Sequence, residues 1–161
     1  MGQVVSIKSE KLFPLINEII KQDGKARITV TGMSMYPFLR ENIDSIELAQ
    51  ASFSNISTGD IVIILRSNGQ YIMHRIIRKE PSCFYIVGDA QQCVEGPLHP
   101  KQLVAVIPAV WRRDKRIECT NFWWRLLSKC WLILIPFRHI IIGISRHLRR
   151  IYRYLYRGSS I

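Results

Sequence analysis

Along residues 9–23 the apolar positions Leu12, Leu15, Ile16, Ile19 and Ile20 recur at spacings of three and four, which predicts a short amphipathic helix. Gly24 is placed to end it, and Pro14 confines its own position to the first turn. From Arg27 the period shortens to two. Arg27-Ile28-Thr29-Val30 and Ser45-Ile46-Glu47-Leu48 alternate as half-buried strands do, and the first runs directly into Gly32. Residues 61–65 form an unbroken apolar run launched by Gly59-Asp60, the pattern of a strand covered on both faces. Asn68-Gly69 is a two-residue hairpin signal joining that run to residues 71–77. Residues 83–87 and 103–107 are further strands, separated by Gly88-Asp89 and a loop at 97–100. Six short strands joined by turns predict a mainly β protein, a compact and partly closed β-fold.

After Val110 the pattern changes. Residues 111–116 read as a charged connector, and residues 122–156 as a helical run of Trp, Leu, Ile and Arg divided at Pro136. In its second half Arg146, Arg149, Arg150, Arg153 and Arg157 fall on one helical face, opposite Ile144, Leu148, Ile151 and Leu155. The expected organisation is an N-terminal helix at 1–25, a β-domain at 26–117 and a basic, Trp-rich helical tail at 118–161.

Charge sharpens that division. Of the net +11, residues 1–110 hold 11 Lys/Arg against 10 Asp/Glu, whereas residues 111–161 hold 12 against 2. An anionic partner is therefore expected at the tail. Trp123, Trp124, Trp131 and the isoleucines at 140–142 suit lipid better than a phosphate groove, so an anionic membrane surface, not nucleic acid, is the expected partner. A simple span is disfavoured, because a central Arg such as Arg138 costs about 2.5–3.5 kcal/mol to insert. An interfacial or re-entrant helix pair hinged at Pro136 fits better. Residues 1–11 contain no apolar leader core, so no cleavable signal peptide is expected. The four cysteines lack metal-ligand spacing, so no metal is expected; free thiols or a Cys83–Cys93 disulfide both remain open.

Two positions suggest chemistry. Ser34, in Gly32-Met33-Ser34-Met35-Tyr36-Pro37, follows a strand where a turn can present its hydroxyl, though turn chemistry alone also accounts for such a serine. His74 shares a strand face with Ile72 and Ile76, so burial would keep its imidazole neutral, as a general base for a serine requires. A half-buried structural histidine is the competing reading. Asp89 is either a turn residue after Gly88 or the acceptor that orients the imidazole. Asp60 suits a turn, and Asp44 is a weaker competitor for the acid.

Taken in order, Gly32-x-Ser34-Met35-x-Pro37, Gly59-Asp60-Ile61-Val62, His74-Arg75-Ile76 and Gly88-Asp89 resemble the boxes of the signal peptidase I superfamily, which includes the self-cleaving SOS-type repressors. His-Arg in place of Lys-Arg is similar to the endoplasmic-reticulum signal peptidase catalytic subunit and to small bacterial stand-alone peptidases. The resemblance covers residues 27–117. It implies a serine endopeptidase acting without a cofactor on a peptide or precursor protein, with small residues before the cleaved bond, at a bacterial cell membrane. It makes Ser34 the nucleophile, His74 the base and Asp89 the assisting acid, with the Ser34 N–H in the oxyanion hole. Gly32 stands where some members carry a hydroxyl donor, so the second donor is unassigned. An inactive membrane-bound binding or maturation partner is the alternative. A self-cleaving regulator fits less well, since the chain has no Ala-Gly or Cys-Gly bond and only 31 residues before Gly32.

Overall fold

The computed structural model describes residues 26–144 continuously, together with residues 13, 14, 16, 18–20, 22 and 147. Nine strands follow in order: β1 Ala26–Thr29, β2 Asp44–Gln50, β3 Ile61–Leu65, β4 Tyr71–Lys79, β5 Phe84–Val87, β6 Glu95–Leu98, β7 Leu103–Val106, β8 Ala109–Arg112 and β9 Lys115–Glu118. Helix α1, Phe122–Ile133, and a second helical segment, α2, Ile135–Ile144, come after them.

Every strand pairing is antiparallel. The order across the sheet is β6-β5-β4-β3-β7-β2-β8-β9, with β1 added to β2. Because β6 and β9 stand at opposite ends without pairing, the sheet is open, and the expected partial closure is not found. Three strands beyond the six expected complete it. Residues 111–116, read as a connector from their charge, instead form most of the β8–β9 hairpin, turned at Arg113 with φ of 54°. Their charge belongs to strands whose Arg112 and Arg116 find acids on β2.

β3 is covered on both faces, as its continuous apolar run requires. Ile61 and Ile63 join a core with Val30, Met35, Leu39 and Val110. Val62 and Ile64 join a second core with Ile76, Phe84, Ile86 and Leu98 on the opposite face. The β3–β4 hairpin closes through Arg66 N–H to Gln70 O at 2.9 Å and Gly69 N–H to Arg66 O at 2.9 Å. Asn68-Gly69 thus marks the hairpin but within a three-residue loop, where Gly69 supplies a φ of 83° that other residues resist.

The described residues between 13 and 20 are helical, with Phe13, Ile16 and Ile20 buried in the first core and Phe13 stacked on Tyr71 at 4.5 Å. Leu12 and Leu15 lie outside the described residues, as do Arg146, Arg149, Arg150, Arg153 and Arg157 of the expected basic helix. α1 and α2 meet at 68°. Pro136 explains the break, since its ring cannot donate to the preceding turn and clashes there. Trp124 and Ile142 are buried, so the helices pack on the β-sheet. No single described helix is long and apolar enough to cross a membrane. All four cysteines, Cys83 and Cys93 among them, are free in the structure.

Asp44 anchors the long β1–β2 connection. Its buried carboxylate accepts the Arg40 backbone N–H at 2.9 Å and bonds the guanidinia of Arg40 and Arg112 at 3.0 Å. Burial alone would raise this carboxyl, but the hydrogen bonds from Arg112 and Arg40 together outweigh it and hold the group below its usual range. The unfolded chain therefore takes up the proton first, and the stabilisation is full above the ordinary carboxylate range and is lost as pH falls through the lower folded value. Urea midpoints measured from pH 6 down to pH 3 should decline more steeply for the native protein than for Asp44→Asn. Parallel declines would show that Asp44 does not contribute.

Candidate active site

Ser34 lies in the turn-rich connection between β1 and β2. Gly32 adopts a φ of 86°, and its N–H is received by Glu41 Oε1 at 2.8 Å. Tyr36 N–H to Met33 O at 3.2 Å and Leu39 N–H to Met35 O at 2.9 Å wind the chain around the serine. Met35 and Leu39 sink into the first core, so the loop is held from beneath. Phe38 holds it from the side, lying under the Arg75 guanidinium at 4.5 Å and edge-on to Trp124 at 5.5 Å. Ser34 itself is half-buried, and neither its hydroxyl nor its N–H has a hydrogen-bond partner among the described residues.

His74 stands on β4 opposite Val62, on the face with Ile72 and Ile76 that the alternation predicts. The residue is 6 % exposed, and its Nδ1 is the one buried side-chain polar atom without a partner among the described residues. Burial, the largest influence, lowers the imidazole below its ordinary 6.5; Glu95 pulls it up, Arg66 pushes it down, and Asp89 pulls it up. Glu95 is itself held low, first by its hydrogen bonds from Arg66, one of which is Arg66 Nε to Glu95 Oε1 at 2.8 Å. The sequence reading missed this Arg66–Glu95 pair, which a strand register alone can place near His74: Ile86 sits opposite both Ile76 and Glu95.

Asp89 meets a different partner from the one expected. Its carboxylate is gripped by Arg75, with Nε to Oδ1 at 2.8 Å and Nη2 to Oδ2 at 2.7 Å, both side chains fully buried. Arg75 Nη1 also donates to Gly59 O at 2.8 Å and Ser128 Oγ at 2.9 Å. Neighbouring strand residues point to opposite faces, so Arg75 and Asp89 occupy the side of β4 away from His74. Asp89 makes no hydrogen bond to the imidazole.

Backbone bonds and the Arg75–Asp89 pair nonetheless link the segments that carry the three candidates. Ala90 N–H donates to Ser34 O at 2.8 Å, directly after Asp89, and Asp89 binds the residue that follows His74. Gly88 permits this approach, because a Cβ there would lie 2.8 Å from Ser34 O. From the other side the helices hold the same loop. Trp131 Nε1 donates to Asp89 O at 2.9 Å, and the buried Arg138 donates through Nη1 to Gly88 O at 3.0 Å. Ser128, Trp131 and Arg138 were invisible as site neighbours in the sequence because nothing local announces how a tail folds back. No hydrogen bond joins Ser34 to His74 among the described residues. As a rival nucleophile Cys119 is poor, since burial pushes its thiol up to about 12.

Removing Asp89 should act on stability first. Asp89→Ala leaves Arg75 buried without its acid, which costs about 3–5 kcal/mol. The double variant Asp89→Leu with Arg75→Met should recover much of that loss in urea unfolding. An Asp89→Ala protein as stable as the native one would refute the structural role of the pair.

No protein-family model matches the chain, and neither a curated protein nor a solved structure matches it.

Proposed function

We propose that this chain is a serine endopeptidase of the signal-peptidase type, cleaving a peptide or precursor protein at a membrane surface with Ser34 as nucleophile and His74 as base. The observation that carries the reading is the placement of His74: a buried imidazole, its pKa lowered first by that burial, on the strand whose next residue organises the loop behind Ser34. With Nδ1 enclosed, Nε2 is the atom through which the ring exchanges a proton. Ser34 Oγ attacks the peptide carbonyl carbon while His74 Nε2 takes the hydroxyl proton and then delivers it to the departing amine. Water, deprotonated by the same nitrogen, hydrolyses the resulting ester and frees the serine. The Ser34 N–H, without a partner among the described residues, is available to the developing oxyanion. Asp89 acts through Arg75 as a positioning residue in this scheme, so the chemistry is that of a dyad.

The absence of a Ser34–His74 hydrogen bond favours the second reading, a binding or maturation partner without turnover. Nucleophile–base contacts often tighten only around bound substrate, which is why the dyad stands first.

A fluorophosphonate probe should label Ser34, mapped by peptide mass spectrometry, and His74→Ala should slow labelling by about 10²–10⁴-fold. Labelling should rise through an apparent pKa below 6.5, because protonated His74 cannot act as base, and stay level through neutral pH. Since Arg66 lowers the imidazole and Glu95 raises it, Arg66→Gln should move the acidic limb to higher pH and Glu95→Gln to lower pH. A protein that binds peptides yet neither labels nor cleaves them would replace the peptidase reading with the binding one.

A further inference from the structure

α1 and α2 each present two opposed faces. The inner face carries Trp124, Ser128, Arg138 and Ile142, all buried. The outer faces expose large apolar side chains: on α1 Phe122 at 69 %, Trp123 at 67 % and Ile133 at 77 %, with Leu126 also exposed, and on α2 Phe137 and Ile140. An exposed apolar surface of this extent signals an interaction site. Its flank is basic. Arg125 and Lys129, four residues apart and therefore stacked on one side of α1, border the apolar arc and form no ion pair among the described residues. Both line a small cleft of about 160 Å³ with Ser57 and Thr58. Asp60, also in its wall, is occupied by the Ser57 N–H at 2.8 Å.

We infer that the outer face of the α1–α2 pair docks in the plane of an anionic bilayer. In that pose Phe122, Trp123, Leu126, Ile133, Phe137 and Ile140 enter the boundary between headgroups and acyl chains. Arg125 and Lys129 meet lipid phosphates, and the hydroxyls of Ser57 and Thr58 supply donors to the same groups. Charge complementarity selects lipid as the occupant: the apolar arc is bordered by two unpaired cations within a segment, residues 111–161, that holds 12 Lys/Arg against 2 Asp/Glu. Neither helix alone is long enough to cross a bilayer; the pair together has the length and composition to do so only through a 68° bend, and in the docked pose it lies in the interface. The inner face of the same pair holds the Gly88–Gln92 loop through Trp131 to Asp89 O, Arg138 to Gly88 O and Gln92 Nε2 to Pro136 O at 3.1 Å. Docking therefore braces the loop behind Ser34 against the membrane. This inference rests on the membrane location in the proposed function and is independent of its chemistry.

The test uses full-length Ser34→Ala protein, so that peptidase activity does not enter. Vesicles of phosphatidylcholine alone and of equimolar phosphatidylcholine and phosphatidylglycerol are sedimented with it, and tryptophan quenching by bromine-labelled acyl chains is read in parallel. Sedimentation should require the anionic lipid, and Trp123→Phe should remove most of the quenching because Trp123 is the tryptophan on the outer face. Arg125→Gln and Lys129→Gln should each weaken binding by about fivefold, and Leu126→Asp with Ile140→Asp should abolish it while circular dichroism stays native. Arg125→Gln and Lys129→Gln change only exposed side chains, so they decide the matter even where the aspartates unfold the helices. Absence of binding, binding unaffected by these substitutions, or a lipid-free dimer whose contact covers Trp123 would each overturn the inference. Failure here with intact hydrolysis of a soluble peptide rejects the docking face alone. Binding without labelling of the native protein at Ser34 rejects the peptidase alone.

Discussion

One buried guanidinium sets the arrangement of the candidate site. Arg75 has no exposed surface, so every donor it leaves unpaired would cost free energy on the scale of a lost charged hydrogen bond. Its Nε and Nη2 take both oxygens of Asp89, its Nη1 takes Gly59 O and Ser128 Oγ, and its plane lies on the Phe38 ring. These partners come from the entry to β3, the Ser34 loop, the Gly88–Gln92 loop and α1. A planar fork of fixed donors can satisfy all of them only in one mutual placement, and lysine could not. Arg138 adds a second buried guanidinium beside Asp89, and it is met entirely by backbone carbonyls of Gly88, Gln91 and Trp131. Burial pulls this group down, Asp89 lifts it, and Arg75 lowers it further. The carbonyl dipoles turned toward it are what let a net positive cluster stay buried.

The consequence reaches the opposite face of the same strand. By fixing Arg75, the cluster fixes β4, and with it the position of His74 in the second core. Among the described residues no acid hydrogen-bonds the imidazole: Asp89 is held by Arg75 and Glu95 by Arg66. Burial is the largest influence lowering the imidazole pKa, and the proposed dyad would not need a third member. The helices complete the account, since their inner face closes the Arg75 cluster while their outer face stays apolar and uncovered.

The strands with clear alternation were legible in the sequence because side-chain period and burial agree there, and β3 was legible because both of its faces are cored. β6, β8 and β9 were not. Glu95-Gly96-Pro97-Leu98 has no alternation, and in β8 and β9 the charges at Arg112 and Arg116 serve cross-sheet ion pairs that a linear reading takes for solvation. Ser34 and His74 are candidates from local context, and their proposed roles come from the ordered motifs of the family resemblance. Asp89 was placed in the right loop but given the wrong partner, because choosing between His74 and Arg75 requires knowing which face of β4 the loop meets. The roles of Ser128, Trp131 and Arg138 depend on contacts 42 to 53 residues apart in sequence, beyond any local signal.

The reaction proposed here passes through an ester between Ser34 and the acyl half of a cleaved peptide. Acid quenching of the full-length protein, milliseconds to seconds after mixing with a library of precursor peptides bearing small residues, followed by mass spectrometry of the Ser34 peptide, tests it directly. The account predicts an acyl adduct on Ser34 that accumulates and decays, is missing in Ser34→Ala, and forms far more slowly in His74→Ala. Peptide cleavage with no adduct on Ser34, or with the same rate in Ser34→Ala, would contradict it.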